Sequence, residues 1–181
     1  MGTETELKLS LAAADIPLLL QHPLLATPPK RLKLYNTYFD TPALDLTKQR
    51  VAVRERRVLR KTLLTVKTAQ HSEGGISQRS EWEAPTVPGR FDFATLIDDA
   101  HLAEALTLKA PQLVPVLTTN FNRRVWTLNF RRATIEVALD QGTISVQRDE
   151  LTREQPICEL ELELKQGNPA TLFALARMLS R

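Results

Sequence analysis

The chain has 181 residues, 43% of them hydrophobic and 25% charged, a composition that can bury a core and excludes a disordered or fibrous protein. Its 24 Lys and Arg nearly balance its 21 Asp and Glu, leaving a net charge of +3, which lacks the basic excess of a general nucleic-acid binder. The single cysteine, Cys158, excludes an intramolecular disulfide and a cysteine-rich zinc site.

The first predicted strand, residues 3–11, sets the pattern for the rest. Read at period two, Glu4, Glu6, Lys8 and Ser10 share one face, while Thr3, Thr5, Leu7, Leu9 and Leu11 share the other. A strand holds Glu4 and Glu6 about 7 Å apart, so they repel unless water screens them or a cation sits between them. Taken alone, the stretch fits a half-buried strand with its charged face in solvent.

Downstream, Asp15 is expected to cap a short helix through Leu18, Leu19 and Leu20 that breaks at Pro23, and Pro28-Pro29 forces an extended link. Strands are predicted over 33–39, 49–58, 62–68 and 76–84, with a turn at Asp40-Thr41-Pro42 and a loop tip at Gly74-Gly75. In these strands Arg54 and Arg56 share a face opposite Val51 and Val53. Lys67 lies with Thr65 opposite Leu64 and Val66, and Arg79, Glu81 and Glu83 lie opposite Trp82. Residues 92–108 carry a helical period through Phe93, Leu96, Ile97, Leu102 and Leu106.

The remainder reads as mostly β. Residues 116–130 form one long or two short strands, on which Arg123 and Arg124 point to opposite faces. Residues 133–139 and 142–146 are expected to form a hairpin across Asp140-Gln141-Gly142, and 156–165 the last strand. Asn168 caps a final helix, with Pro169 at its first position and Leu172, Phe173, Leu175, Ala176 and Leu179 as its apolar side. Roughly eight or more strands with two or three helices and hairpin-length connections point to a predominantly β (α+β) fold. The expectation is an antiparallel closed β-barrel, or a sandwich, with helices packed outside.

The last strand is the companion of the first. Glu159, Glu161 and Glu163 share one face and the intervening leucines the other, although Glu is a poor strand former. If the aliphatic faces pack under helices, the charged faces point into a barrel lumen with acidic and basic walls. Such a lumen suits a polyanion, because arginine forks and lysine ammoniums hold phosphate oxygens. It also suits divalent cations: carboxylates without His or Cys partners point to Mg²⁺ or Mn²⁺ rather than zinc. His22, His71 and His101 show no ligand spacing and are read as surface residues in loops or helices. The acidic start is not a secretory signal, and the longest apolar run, residues 16–26, is too short to span a bilayer, so a cytoplasmic location without membrane contact is expected.

The ordered set of motifs resembles the CYTH, or triphosphate tunnel metalloenzyme, superfamily. Glu4-Thr5-Glu6-Leu7-Lys8 is similar to its Glu-x-Glu-x-Lys signature, and Tyr38-Phe39-Asp40-Thr41-Pro42 to its turn. Arg54 and Arg56, Lys67, the Arg79–Glu81–Glu83 strand, Arg123, the approach to Asp140, and Glu159 with Glu161 follow in the family's order. The resemblance covers essentially the whole chain and looks nearest to the bacterial inorganic triphosphatase branch, in which a helical CHAD domain often follows the tunnel. Residues 1–181 are therefore expected to be one tunnel domain, either free-standing or excised from a longer CYTH–CHAD chain.

The resemblance implies metal-dependent hydrolysis of inorganic triphosphate to pyrophosphate and phosphate. Glu4, Glu6, Asp140, Glu159 and Glu161 would bind the metal, and Lys8, Arg54, Arg56, Lys67, Arg79 and Arg123 the substrate. Lys8 would also stand at the reaction centre. Thiamine or nucleoside triphosphates, an adenylyl cyclase reaction, and a non-enzymatic polyphosphate-binding module are the alternatives. Few aromatics are available to stack a base, and a mere binder would not need the facing carboxylates.

Overall fold

The computed structural model describes the backbone of residues 1–181 and every side chain except those of Gln70 and His71. The reading of His71 as a surface residue therefore lies outside the described residues. The strands are β1 (Gly2–Ser10), β2 (Lys30–Asp40), β3 (Val51–Val58), β4 (Lys61–Glu73), β5 (Ile76–Pro85), β6 (Val114–Phe130), β7 (Ala133–Arg148) and β8 (Leu151–Gln166). Among the described residues these eight close into a barrel in the order β1-β5-β4-β3-β2-β6-β7-β8. Each pairing is antiparallel, and β8 returns to β1 with Lys8 opposite Glu161 and Ser10 opposite Glu159.

The hydrophobic core lies outside the barrel, not within it. Period-two alternation sends the aliphatic residues outward, where two clusters pack them under helices. Leu7, Val137, Leu139, Leu160 and Leu162 meet α1 (Ile16–Leu20) and α5 (Ala170–Leu179) through Ile16, Leu19, Leu172 and Leu175. On another flank, Val53, Leu64, Val66 and Trp82 meet α2 (Asp45–Lys48), α3 (Phe93–Leu96) and α4 (Ala100–Lys109) through Leu46, Phe93, Ala103 and Leu106. The complementary charged faces are left to line the lumen.

Several local expectations need correction. Asp15 precedes α1 but its side chain makes no capping hydrogen bond. The helical period over 92–108 is split into α3 and α4, because Ile97 is extended and Asp99 caps α4 by accepting from the amides of His101 and Leu102. The neighbouring Asp98 accepts from the indole N–H of Trp82 at 2.6 Å, which ties the break to the barrel wall. Residues 133–148 form one continuous strand instead of a hairpin. Gly142 lies within it because β6 passes so close that a Cβ there would stand 2.1 Å from the carbonyl oxygen of Asn120. Asn168 does cap the final helix, accepting from the amide of Ala170 at 2.9 Å.

The turn after β2 conceals a device that the strand pattern did not reveal. Asp40, 2% exposed, accepts from the amides of Thr41, Leu46 and Thr47 and from the Thr47 hydroxyl, at 2.7, 2.9, 3.0 and 2.6 Å. One carboxylate thus satisfies orphan donors at the start of α2 and ties that helix to the end of β2.

Candidate active site

The barrel encloses a cavity of about 640 Å³ whose wall is built by alternate residues from all eight strands. Every residue expected at the site lies on this wall. Glu4, Glu6 and Lys8 come from β1, Arg54 and Arg56 from β3, Lys67 from β4, and Arg79 from β5. Arg123 comes from β6, Asp140 from β7, and Glu159 and Glu161 from β8. Glu81, Glu83, Glu136, Glu163 and Lys165 line it too.

Within this wall most of the charges are already partnered. Arg123 grips Asp140 with two hydrogen bonds of 2.7 Å and reaches Glu161 at 2.8 Å. Lys8 stands 3.2 Å from Glu161 and 3.7 Å from Glu159. Lys67 donates to both oxygens of Glu4 at 3.0 and 2.8 Å, and Arg79 approaches Glu6 at 3.9 Å. Arg54 lies 3.6 Å from Glu83 and 3.2 Å from the Thr65 hydroxyl, which itself donates to Glu83 at 2.7 Å. The buried Nε of Arg54 has no partner among the described residues.

Asp140, Glu159 and Glu161 bring carboxylate oxygens within 4.8 Å of one another. Glu4 and Glu6, expected in the same ligand set, lie on the wall but outside this group of three. The donors are all oxygen, and an oxygen already accepting from Arg123 keeps a second lone pair. The set therefore fits a hard divalent cation. His22 lies away from the site, its Nε2 3.0 Å from the carbonyl of Met178, and His101 sits on α4.

Burial and neighbours divide these carboxyls. Burial, reinforced by Glu161 and Glu4, raises the pKa of Glu6. Burial also raises Asp140 and Glu81, despite Arg123 beside the former and Lys67 beside the latter. For Glu161 burial is opposed by Arg123 and Lys8, and the cations prevail and lower its pKa. Burial likewise works against the charge of Lys8, yet Glu161, Glu159 and Glu6 outweigh it and raise its pKa. Lys8 is therefore an ammonium at neutral pH: it donates, and does not accept protons.

The chain matches the CYTH domain family model over residues 2–181. The chain belongs to the CYTH domain family. This CYTH domain is 35% identical over 150 residues to an inorganic triphosphatase of Haemophilus influenzae, an alignment covering 83% of the chain and 41% of that protein. The chain thus spans less than half the length of that curated relative. Among solved structures, a Bacillus halodurans protein described as an adenylate cyclase candidate superposes with a TM-score of 0.65 at 16% identity, over 99% of this chain and 92% of that one. A Hippeastrum protein reported to have a dominant triphosphatase activity superposes with a TM-score of 0.62 at 19% identity, over 96% and 84%. At those identities the likeness is one of fold. The CYTH match fills residues 2–181, so no CHAD domain is found within the chain. No helix among the described residues is long and apolar enough to cross a membrane.

Asn36, Thr65 and Thr119 also line the tunnel, Asn36 accepting from Arg56, Thr65 from Arg54 and Thr119 from Asn36, though the sequence pattern assigned them no role. For Asn36 a signal was available, since it alternates with Tyr38 on the predicted strand over 33–39.

Proposed function

We propose that the tunnel hydrolyses inorganic triphosphate to pyrophosphate and phosphate with Mg²⁺ or Mn²⁺ bound. The observation that carries this reading is one cavity shared by the carboxylates of Asp140, Glu159 and Glu161 and by the guanidinium and ammonium groups of Arg54, Arg56, Lys67, Arg79 and Arg123. The cationic groups hold phosphate oxygens and fix the chain of phosphates in one conformation, which removes orientational entropy from the barrier. Asp140, Glu159 and Glu161 hold the metal, with Glu4 and Glu6 as further candidates on the adjoining wall. A bound ion supplies Lewis-acid neutralisation of phosphate charge. Lys8, touching Glu159 and Glu161, donates a hydrogen bond that places water or a phosphate oxygen beside the acidic group.

The reading treats residues 1–181 as one tunnel domain working in the cytoplasm, without membrane or specific nucleic-acid partners. It is supported by membership of the CYTH family and by similarity to the Haemophilus enzyme. The deciding experiment is phosphate release from inorganic triphosphate, with and without Mg²⁺ or Mn²⁺, beside ATP and thiamine triphosphate. Metal-dependent release fastest on inorganic triphosphate is expected. Absence of release from it, or faster release from either organic triphosphate, overturns the assignment.

A further inference from the structure

Lys8, Arg54, Lys67, Arg79, Arg123 and Lys165 each have a carboxylate at ion-pairing distance in the tunnel. Arg56, among the described residues, has none. Its Nε instead donates to Oδ1 of Asn36 at 2.9 Å, and Nδ2 of Asn36 donates to Oγ1 of Thr119 at 2.9 Å. An arginine Nε–H can only donate, so the amide oxygen of Asn36 must face Arg56 and its NH₂ must face Thr119. The three residues sit side by side on β3, β2 and β6, with Asn36 in register with both Arg56 and Thr119. Asn36 is 1% exposed, so the arrangement is held by the wall itself.

We propose that Asn36 is a positioning residue that fixes Arg56 without neutralising it, making this guanidinium the tunnel's first docking point for a phosphate group. The inference rests on the triphosphatase reading, which supplies the polyanion. Each of the other cations already has a carboxylate beside it that offsets its charge, whereas Arg56 meets an incoming phosphate with no acid at ion-pairing distance. Its charge is also held under strain: burial, and then Arg54 and Arg123, bring its pKa down to about 10, still protonated at neutral pH. A phosphate oxygen at its free N–H groups relieves that strain.

The test compares two substitutions whose effects on stability and affinity run in opposite orders. Asn36→Asp keeps the shape: the carboxylate accepts from Arg56, and the Thr119 hydroxyl turns to donate to it, so no buried donor is orphaned. It neutralises Arg56, however. Asn36→Ala leaves Arg56 charged but loose and opens a small void. Titration of the full chain with inorganic triphosphate in the presence of EDTA, by calorimetry, should show binding weakened about thirtyfold in Asn36→Asp and about fivefold in Asn36→Ala. Melting temperature should fall further in Asn36→Ala than in Asn36→Asp. With metal added, KM should rise in the same order as the metal-free Kd, and by more than kcat falls.

Equal affinity of Asn36→Asp and wild type, or an affinity order that follows the melting temperatures, overturns the proposal, as does failure of the metal-free wild type to bind triphosphate. Should Asn36→Asp not fold, unchanged affinity in Asn36→Ala overturns it instead. Wild type that binds triphosphate without metal but never releases phosphate overturns the hydrolase reading alone.

Discussion

Replacing Asp40 by Asn removes one negative charge and almost no volume from the joint between β2 and α2. The retained Oδ1 still accepts from the amides of Thr41 and Leu46, but an NH₂ group now stands where Oδ2 met the amide and hydroxyl of Thr47, at 3.0 and 2.6 Å. The hydroxyl can turn to accept; the amide cannot. One buried N–H left facing another donor costs about 1–3 kcal/mol, and loss of charge assistance in the remaining bonds adds to it, so about 3 kcal/mol is expected. For a domain of this size that is roughly 9 °C in Tm. The four bonds outweigh burial and hold the pKa of Asp40 below its ordinary 3.8. The native carboxyl therefore binds fewer protons than the unfolded one, and its stabilisation is fully present above pH 3.8 and lost as pH falls through the lower native value. Urea melts of wild type and Asp40→Asn from pH 7 down to pH 3 should show a constant gap above about pH 5 that narrows below it. Equal stability at pH 7, or a gap that widens in acid, would refute the argument.

Gly142→Ala should cost about 3 kcal/mol or more in a urea melt, because its Cβ would stand 2.1 Å from the Asn120 carbonyl oxygen and 2.5 Å from Cα of Phe121, which are backbone atoms unable to move aside. Millimolar Mg²⁺ or Mn²⁺ should raise Tm, by about 8 °C when free metal is a hundred times its Kd, and Glu159→Gln should abolish most of that shift. A full shift in Glu159→Gln would remove the residue from the ligand set. Lys8→Ala and Glu6→Gln should each lose triphosphate hydrolysis while staying folded, and wild-type turnover in either would defeat the roles assigned to them. Glu6→Gln carries a pH signature as well. Native Glu6 has a pKa raised above 4.5, so it binds more protons than unfolded Glu6 and wild type loses stability as pH climbs through the native value. The metal-free variant should match or exceed wild-type Tm at pH 8, with its advantage shrinking toward pH 4.5.

The lumen was legible because alternation is a local property. Glu4-x-Glu6-x-Lys8, Arg54-x-Arg56 and Glu159-x-Glu161 each fix which side chains share a face, and the aliphatic partners between them fix which face the helices cover. The turns were less legible because their chemistry is unconventional. The β6–β7 connection bends through Arg131 and Arg132, both at positive φ, and the β3–β4 connection through Leu59, also at positive φ, with no glycine or asparagine to announce either. Gly142, by contrast, reads as a turn residue and in fact sits mid-strand where the paired strand β6 approaches closely. The break between α3 and α4 is tied to the barrel wall by Asp98 meeting Trp82, a contact that helical periodicity does not encode. Which acids converge is likewise tertiary. Asp140 joins Glu159 and Glu161 because β7 and β8 pair in a register that sets Asp140 opposite Glu159, while Glu4 is drawn away by Lys67.

The pairing of nearly every charge in the tunnel constrains how such a site binds anything. A triphosphate that takes the Arg123 N–H groups now donating to Asp140 and Glu161 must displace those carboxylates, and a cation cannot meet the two carboxylates without sharing them with Arg123. Binding is therefore an exchange, in which buried acid–base pairs are traded for acid–metal and base–phosphate pairs, and the net affinity is the difference between two large terms. Whatever draws Asp140 and Glu161 away from Arg123 frees that guanidinium for phosphate, and by linkage whatever engages the guanidinium frees the carboxylates for metal to the same extent. Under this scheme metal and triphosphate each strengthen the other's hold without any movement of the barrel. Arg56, tied to a neutral amide rather than to an acid, stands outside the exchange and offers its charge before it begins.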